Sequence, residues 1–155
     1  MDAKRYITDE VRIKVKPIWK VLFDVLSQKE ESPEYQKIIS NISKWLSLID
    51  EIDDEILKWL KLSARYIQVN FNAPFFIEYL LKHAPCSPKK VGELYLEMLN
   101  SDVYPEYKME NIQEIVQILY NKKQKKIADK ICNMYGAKGL HFLRTIYEKH
   151  RHNIQ

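Results

Sequence analysis

Only three glycines and six prolines occur among 155 residues. That is too few for the many tight turns an all-β chain requires. There are two cysteines, Cys86 and Cys132, far apart in sequence, which makes no disulfide framework, and reduced thiols are the plain expectation. No stretch approaches 18 uncharged apolar residues, so no membrane-spanning helix is expected. The opening MDAKRYITDE lacks the apolar core of a signal peptide, and a cytoplasmic location is expected. Neither sign of charge dominates. The 25 basic and 21 acidic residues leave a net charge of +4, which by itself implies neither a nucleic-acid nor a membrane partner.

What is present is hydrophobic patterning at helical spacing. A hydrophobic fraction of 46% with 30% charged residues is globular. A chain of this length buries about 70% of its unfolded surface, enough for a single domain over residues 1–155. The clearest stretch is 109–147. Ile112, Ile115, Val116, Leu119 and Tyr120 recur at i, i+3, i+4, i+7 and i+8. Ile127, Ala128, Ile131, Cys132 and Tyr135 repeat the pattern after a connection short enough to force an antiparallel hairpin. Asn111 with Glu114 is a candidate capping pair, and Gly136 a candidate left-handed helix end, with Gly139 offering another turn. A third helix is expected on Leu140, Leu143 and Tyr147, widened by Phe142 and Ile146.

Earlier parts of the chain repeat this unit. Ser32-Pro33-Glu34 combines a hydroxyl cap, proline at the first helical position and an acid in the first turn. Tyr35, Ile38, Ile42, Trp45 and Ile49 follow it as a stripe. An acidic corner at 50–55 leads into Ile56, Leu60, Ser63 and Ile67, with an expected Asp54–Lys58 pair. Phe76, Tyr79, Leu80 and His83 mark the next helix, which Pro85 ends. Ser87-Pro88 then starts Val91, Leu94, Tyr95, Met98 and Leu99. Residues 7–28 are ambiguous. Residues 11–16 alternate apolar and basic like a strand, yet Ile7, Val11, Ile18, Leu22 and Val25 share a helical stripe. With no other segment to pair with, a helix kinked or broken at Pro17 is expected, with Trp19, Val21, Leu22, Phe23, Val25 and Leu26 mostly buried.

The expected fold is therefore all-α. Antiparallel hairpins at roughly 33–69, 74–100 and 109–135, flanked by a helix at each end, would stack as a short α-solenoid of seven to nine helices. No tetratricopeptide or ankyrin signature is present, and a compact helical bundle is the alternative.

Chemistry-bearing clusters are sparse. No strand–turn–helix elbow is present, and Cys132 lies on an apolar stripe, as a core thiol does. Gly136-Ala137-Lys138-Gly139 ends a helix rather than following a strand, unlike a phosphate-cradling loop. His83 with Cys86, and His150 with His152, fall short of the four ligands of a structural zinc site. The acids at 50–55 lack the loop pattern of a calcium site. No catalytic residue, metal or cofactor is expected.

Lysines give a more specific signal. Lys89 and Lys90, and again Lys125 and Lys126, occupy first helical turns, where cations oppose the helix dipole. Stacked in the same sense, the hairpins would bring both pairs to one edge, joined by Lys122, Lys123, Lys149 and Arg151. Such an edge suits an anionic partner, with nucleic acid as one option. The opposite edge would gather Phe71, Tyr104, Tyr107 and Tyr135, a composition common in protein-binding patches, near Asn70, Asn72 and Gly136.

The residues Ala84-Pro85 with VGELYLEML, the proline-bearing linker after them, and the corner IADKICNMYGAKGLHFL carry a family likeness. Over about 75–151 the chain resembles the HEAT-like helical-repeat segments at the carboxyl ends of large bacterial multidomain proteins, including nucleotide-switch and sirtuin-like defence proteins. The resemblance implies a sensing or assembly module whose chemistry lies elsewhere in a longer protein, and it carries over no functional residue. The expected function is a non-enzymatic interaction or scaffold module that binds another protein or domain. Binding of nucleic acid or another polyanion through the basic edge is the alternative.

Overall fold

In a computed structural model of the chain, residues 9–28, 32–46, 51–67 and 73–152 are described. Among them are eight helices and no strand: α1 (Asp9–Ser27), α2 (Pro33–Leu46), α3 (Asp54–Ala64), α4 (Ala73–His83), α5 (Pro88–Asn100), α6 (Met109–Asn121), α7 (Lys125–Ala137) and α8 (Arg144–Arg151).

Local chemistry sets several boundaries. The backbone N–H of Tyr35 donates to Ser32 Oγ at 3.1 Å, so the expected hydroxyl cap of α2 forms. At α3 the cap is Asp53, whose Oδ1 accepts from the Ile56 N–H at 2.8 Å. Three helices end with the same pair of backbone bonds, in which a left-handed residue turns the chain back over the last turn. Val103 N–H reaches Met98 O at the end of α5, Gln124 N–H reaches Leu119 O after α6, and Leu140 N–H reaches Tyr135 O after α7. The left-handed residues are Asp102, Lys123 and Gly139, with φ of 62°, 63° and 78°. Gly136, expected in that role, instead lies inside α7, because the helix runs two residues past the end of its stripe, to Ala137. Nor does α6 start with an Asn111–Glu114 pair. It starts at Met109, behind Lys108 in a left-handed conformation.

The second helices of the hairpins pack in succession, α3 on α5 and α5 on α7, while among the first helices α2 meets α4 and α4 meets α6. Helix α8 lies against α6 and α7, where Gln113 Nε2 donates to Phe142 O at 2.9 Å. Lys61 pairs with Glu93 at 2.8 Å and Arg65 with Glu97 at 3.2 Å, a rise in step that makes α3 and α5 run the same way. Helix α1 lies along α3. Lys16 meets Asp53 at 2.5 Å, Lys20 meets Glu55 at 3.7 Å, and the Phe23 ring stacks on Trp59 at 5.3 Å.

The expected stripes of α3, α4, α5 and α6 are buried throughout, and in α7 only Ile127 is left half-buried. At 0% exposure, side chains such as Leu94 and Ile115 each contribute about 1.5–3 kcal/mol of apolar transfer. Gly92 lets α5 and α7 approach closely, since a Cβ there would stand 2.6 Å from Ile127 Cγ2.

Four expectations need correction. Helix α1 is not broken at Pro17, which lies inside it, and Val21 and Val25 are exposed, because α3 packs on the flank whose Phe23 ring stacks on Trp59. In α2 the buried position is Ile39, and Ile38 is exposed; the Ile42 and Trp45 side chains, and Ile49, lie outside the described residues, as does Ile7. Asp54 pairs with Lys90 of the neighbouring hairpin at 3.2 Å rather than with Lys58 of its own helix. Helix α8 begins only at Arg144, so Leu140, Phe142 and Leu143 belong to the turn before it.

Candidate functional site

The lysine edge assembles in part. Packing of α5 on α7 sets the first turns of the two helices near each other, with Gly92 facing Ile127. Lys125 Nζ donates to His150 O at 3.3 Å, which brings the last turn of α8, with Lys149 and Arg151, to the start of α7. Two of the lysines are used inside the fold. Lys90 donates to Ile52 O at 2.8 Å as well as pairing with Asp54. Lys125 pairs with Asp129 at 3.4 Å and lies 5.7 Å over the Tyr120 ring. Lys89, Lys122, Lys123 and Lys126 stand exposed. The acidic corner at the other end of the edge is also engaged, through Lys16, Lys20 and Lys90; Asp50 lies outside the described residues. Burial works against charging Asp53, but the Ile56 N–H and Lys16 outweigh it and hold the carboxyl below its usual value.

Beside Lys125, the His150 ring stacks on Tyr120 at 4.1 Å, and its Nε2 lies 2.8 Å from Gln117 Nε2. Gln117 Nε2 also donates to Asn121 Oδ1 at 3.1 Å, so His150 Nε2 is the acceptor of an amide N–H. Burial, and then Lys149 and Lys125, push the imidazole pKa down. Tyr120 donates to Asp129 at 2.7 Å, and burial with that bond raises its phenol pKa. The cluster holds α8 to the α6–α7 hairpin.

Of the expected tyrosine edge, Tyr104 and Tyr135 come together, but inside the fold rather than as an exposed patch. Tyr135 has 0% exposure. Its hydroxyl lies 2.7 Å from that of Tyr95 and donates to Pro105 O at 3.0 Å. Tyr104 and Phe142 set their edges against its ring at 5.4 and 5.0 Å. Tyr135 therefore anchors the 101–108 loop. Tyr104 is half-buried under Lys138, and Tyr107 alone of the three stands exposed. Phe71, Asn70 and Asn72 lie outside the described residues.

Two clefts stand out among the described residues. One, of about 390 Å³, lies among α1, α2 and α3, with Tyr35, Trp59 and Tyr66 beside Lys58, Lys61 and Arg65. Lys61 and Arg65 are already paired with Glu93 and Glu97, and Asp24 also lines the space, so the cleft carries no clear excess of positive charge. The other, of about 360 Å³, runs between α7 and α8 over Cys132, Tyr147 and Arg151. Burial pushes the Cys132 thiol up to about 11, a protonated thiol at neutral pH rather than a nucleophile. Among the described residues no three His, Cys, Asp or Glu side chains come together as a metal site would need, and no helix is long and apolar enough to cross a membrane.

The most distinctive surface is on α1. Val11, Ile18, Val21 and Val25 are 44%, 66%, 64% and 47% exposed. At 100° per residue they fall within one narrow sector, beside the flank that packs on α3. No other described helix carries more than two exposed large hydrophobics. The carboxyl-terminal helix is the opposite, with Arg144, Thr145, Glu148, Lys149 and Arg151 exposed. The spacing of the α1 stripe is legible in the sequence. Its exposure is not, because residues that share a stripe look the same whether or not a neighbour covers them.

Compared with known proteins, the chain matches no family model, no curated protein and no solved structure. The surfaces themselves carry the functional reading.

Proposed function

We propose that the chain is a non-enzymatic interaction module, a short α-solenoid of HEAT-like hairpins that docks another polypeptide on the outer face of α1. The observation that carries this reading is the four-residue apolar stripe standing in solvent on α1. Isolated apolar residues on a surface are ordinary, but a contiguous row on one helix face marks an interaction site. Helix α8 presents mostly charged residues to solvent, whereas α1 presents this apolar row. Successive packing of α3, α5 and α7 supports the solenoid description.

The test is site-specific crosslinking. A photoreactive phenylalanine analogue at Val21 of the full chain should yield a polypeptide adduct in cells, abolished by Ile18→Asp. The same analogue at Lys130, exposed on α7, should not. No adduct above the Lys130 background would overturn the reading.

The lysine edge supports a second reading, binding of nucleic acid or another polyanion, because Lys125 draws the basic end of α8 to the α6–α7 turn. Lys122→Glu with Lys126→Glu tests it without breaking the Lys125 contacts. Binding that is absent at low salt, or that survives both changes, rules it out.

A further inference from the structure

We propose that a second copy of this chain covers the α1 stripe, the two α1 helices lying antiparallel about a two-fold axis. The inference rests on the reading of α1 as a docking face and names its occupant. The spacing of Val11, Ile18, Val21 and Val25, with Lys14 completing the row, is the alternating three-and-four step of a helix–helix seam. A parallel pair would set Lys14 of one copy against Lys14 of the other, two cations at the same level. An antiparallel pair avoids this. When residues whose numbers sum to 39 are opposed, Ile18 of each copy packs on Val21 of the other, twice by symmetry. Lys14 then crosses Val25 of the second copy, and its ammonium comes beside that copy's Asp24. Asp24 is exposed on α1, and Lys14 lies at the surface, where it also meets Glu10 of its own helix at 3.1 Å. The acid required opposite Lys14 is thus supplied by the chain itself, twice.

Access and size agree with this arrangement. Helix α1 meets α3 through Lys16, Lys20 and Phe23, and Ile18, Val21 and Val25 remain 66%, 64% and 47% exposed among the described residues. Its 19 residues span about 28 Å. A seam of that length sits near the roughly 1,000 Å² at which specific interfaces begin. A seam of this size suits a concentration-dependent dimer rather than a permanent one.

Sedimentation velocity of the full chain over about 1–300 µM tests the proposal. The expected result is a concentration-dependent dimer that Ile18→Asp abolishes. Asp24→Lys should weaken it about tenfold or more, by setting two lysines together, and Lys14→Glu added to Asp24→Lys should restore it. All three positions are exposed, and circular dichroism checks that each variant keeps its helices. A dimer indifferent to Ile18→Asp or to the charge exchange overturns the proposal. So does a monomer at 300 µM whose Val21 crosslink joins a different polypeptide, an outcome that leaves the docking reading standing. A monomer with no crosslink overturns both.

Discussion

Replacing Tyr135 with phenylalanine removes a single oxygen from the middle of a buried chain of two hydrogen bonds. The order of that chain follows from the acceptor at its end. Pro105 O can only accept, so Tyr135 spends its one hydroxyl proton on it, and Tyr95 must donate to Tyr135. Tyr135→Phe therefore orphans two buried groups, the Tyr95 hydroxyl and the Pro105 carbonyl, at about 1–3 kcal/mol each. The expected loss is about 2–6 kcal/mol. Tyr95→Phe leaves every donor satisfied and should cost only about 0.5–1.5 kcal/mol. In the double variant only the Pro105 carbonyl is orphaned, so it should be no less stable than Tyr135→Phe alone. Urea titration followed by circular dichroism and tryptophan fluorescence measures all three, and an unchanged slope shows that the unfolding reaction is the same. At roughly 2–4 °C per kcal/mol for a chain of this size, Tyr135→Phe should also lower Tm by about 4–24 °C. Equal costs for the two single changes, or strict additivity in the double, would refute the donor order. The pH dependence has a definite sign. Burial raises both phenols above the ordinary value of 10.0. Above pH 10 the unfolded chain has released protons that the folded chain still holds, so stability is full below that pH and falls as it rises further.

Gly92→Ala should destabilise the native protein by about 1 kcal/mol, because overpacking against Ile127 outweighs the helical gain of alanine. In an Ile127→Ala background the same change should become stabilising, and chemical denaturation reads the reversal of sign. Ser63→Ala should be neutral or stabilise by up to about 1 kcal/mol, since Ser63 Oγ is buried without a partner among the described residues. A thiol reagent at pH 8 should modify one cysteine per folded chain, the exposed Cys86, and a second only after denaturation, because Cys132 is buried with its pKa near 11. The His150 pKa is lowered on folding, so its contribution is complete above about pH 6.5 and is lost as pH falls below that value. Amide exchange in α8 should accelerate on acidification, and His150→Gln should flatten the profile.

The corners of the fold show where periodicity carries information and where it stops. The order and approximate ends of the hairpins, and the inward faces of α3 to α6, follow from spacing because each of these helices has neighbours wide enough to cover its whole stripe. Cap chemistry at Ser32 and Pro33 is equally local and equally legible. Gly136 and Gly139 are both able to end α7, and only the bond from Leu140 N–H to Tyr135 O selects Gly139. Tyr135 has the composition of a surface patch, and it is the 101–108 loop folding back over it, with Pro105 O as acceptor, that buries it. The two surfaces in the functional readings divide in the same way. Lysines at the starts of α5 and α7 are visible from sequence, but which of them are consumed inside the fold depends on where Asp54 and the end of α8 arrive.

Helix α1 shows the division most clearly. Its sequence determined that Val11, Ile18, Val21 and Val25 share one face, and a helix period can establish no more than that. Whether the face is core or surface depends on which neighbour packs beside it. Only the tertiary structure decided it, by placing α3 against the flank of Phe23 and Leu26 and leaving the other flank in solvent.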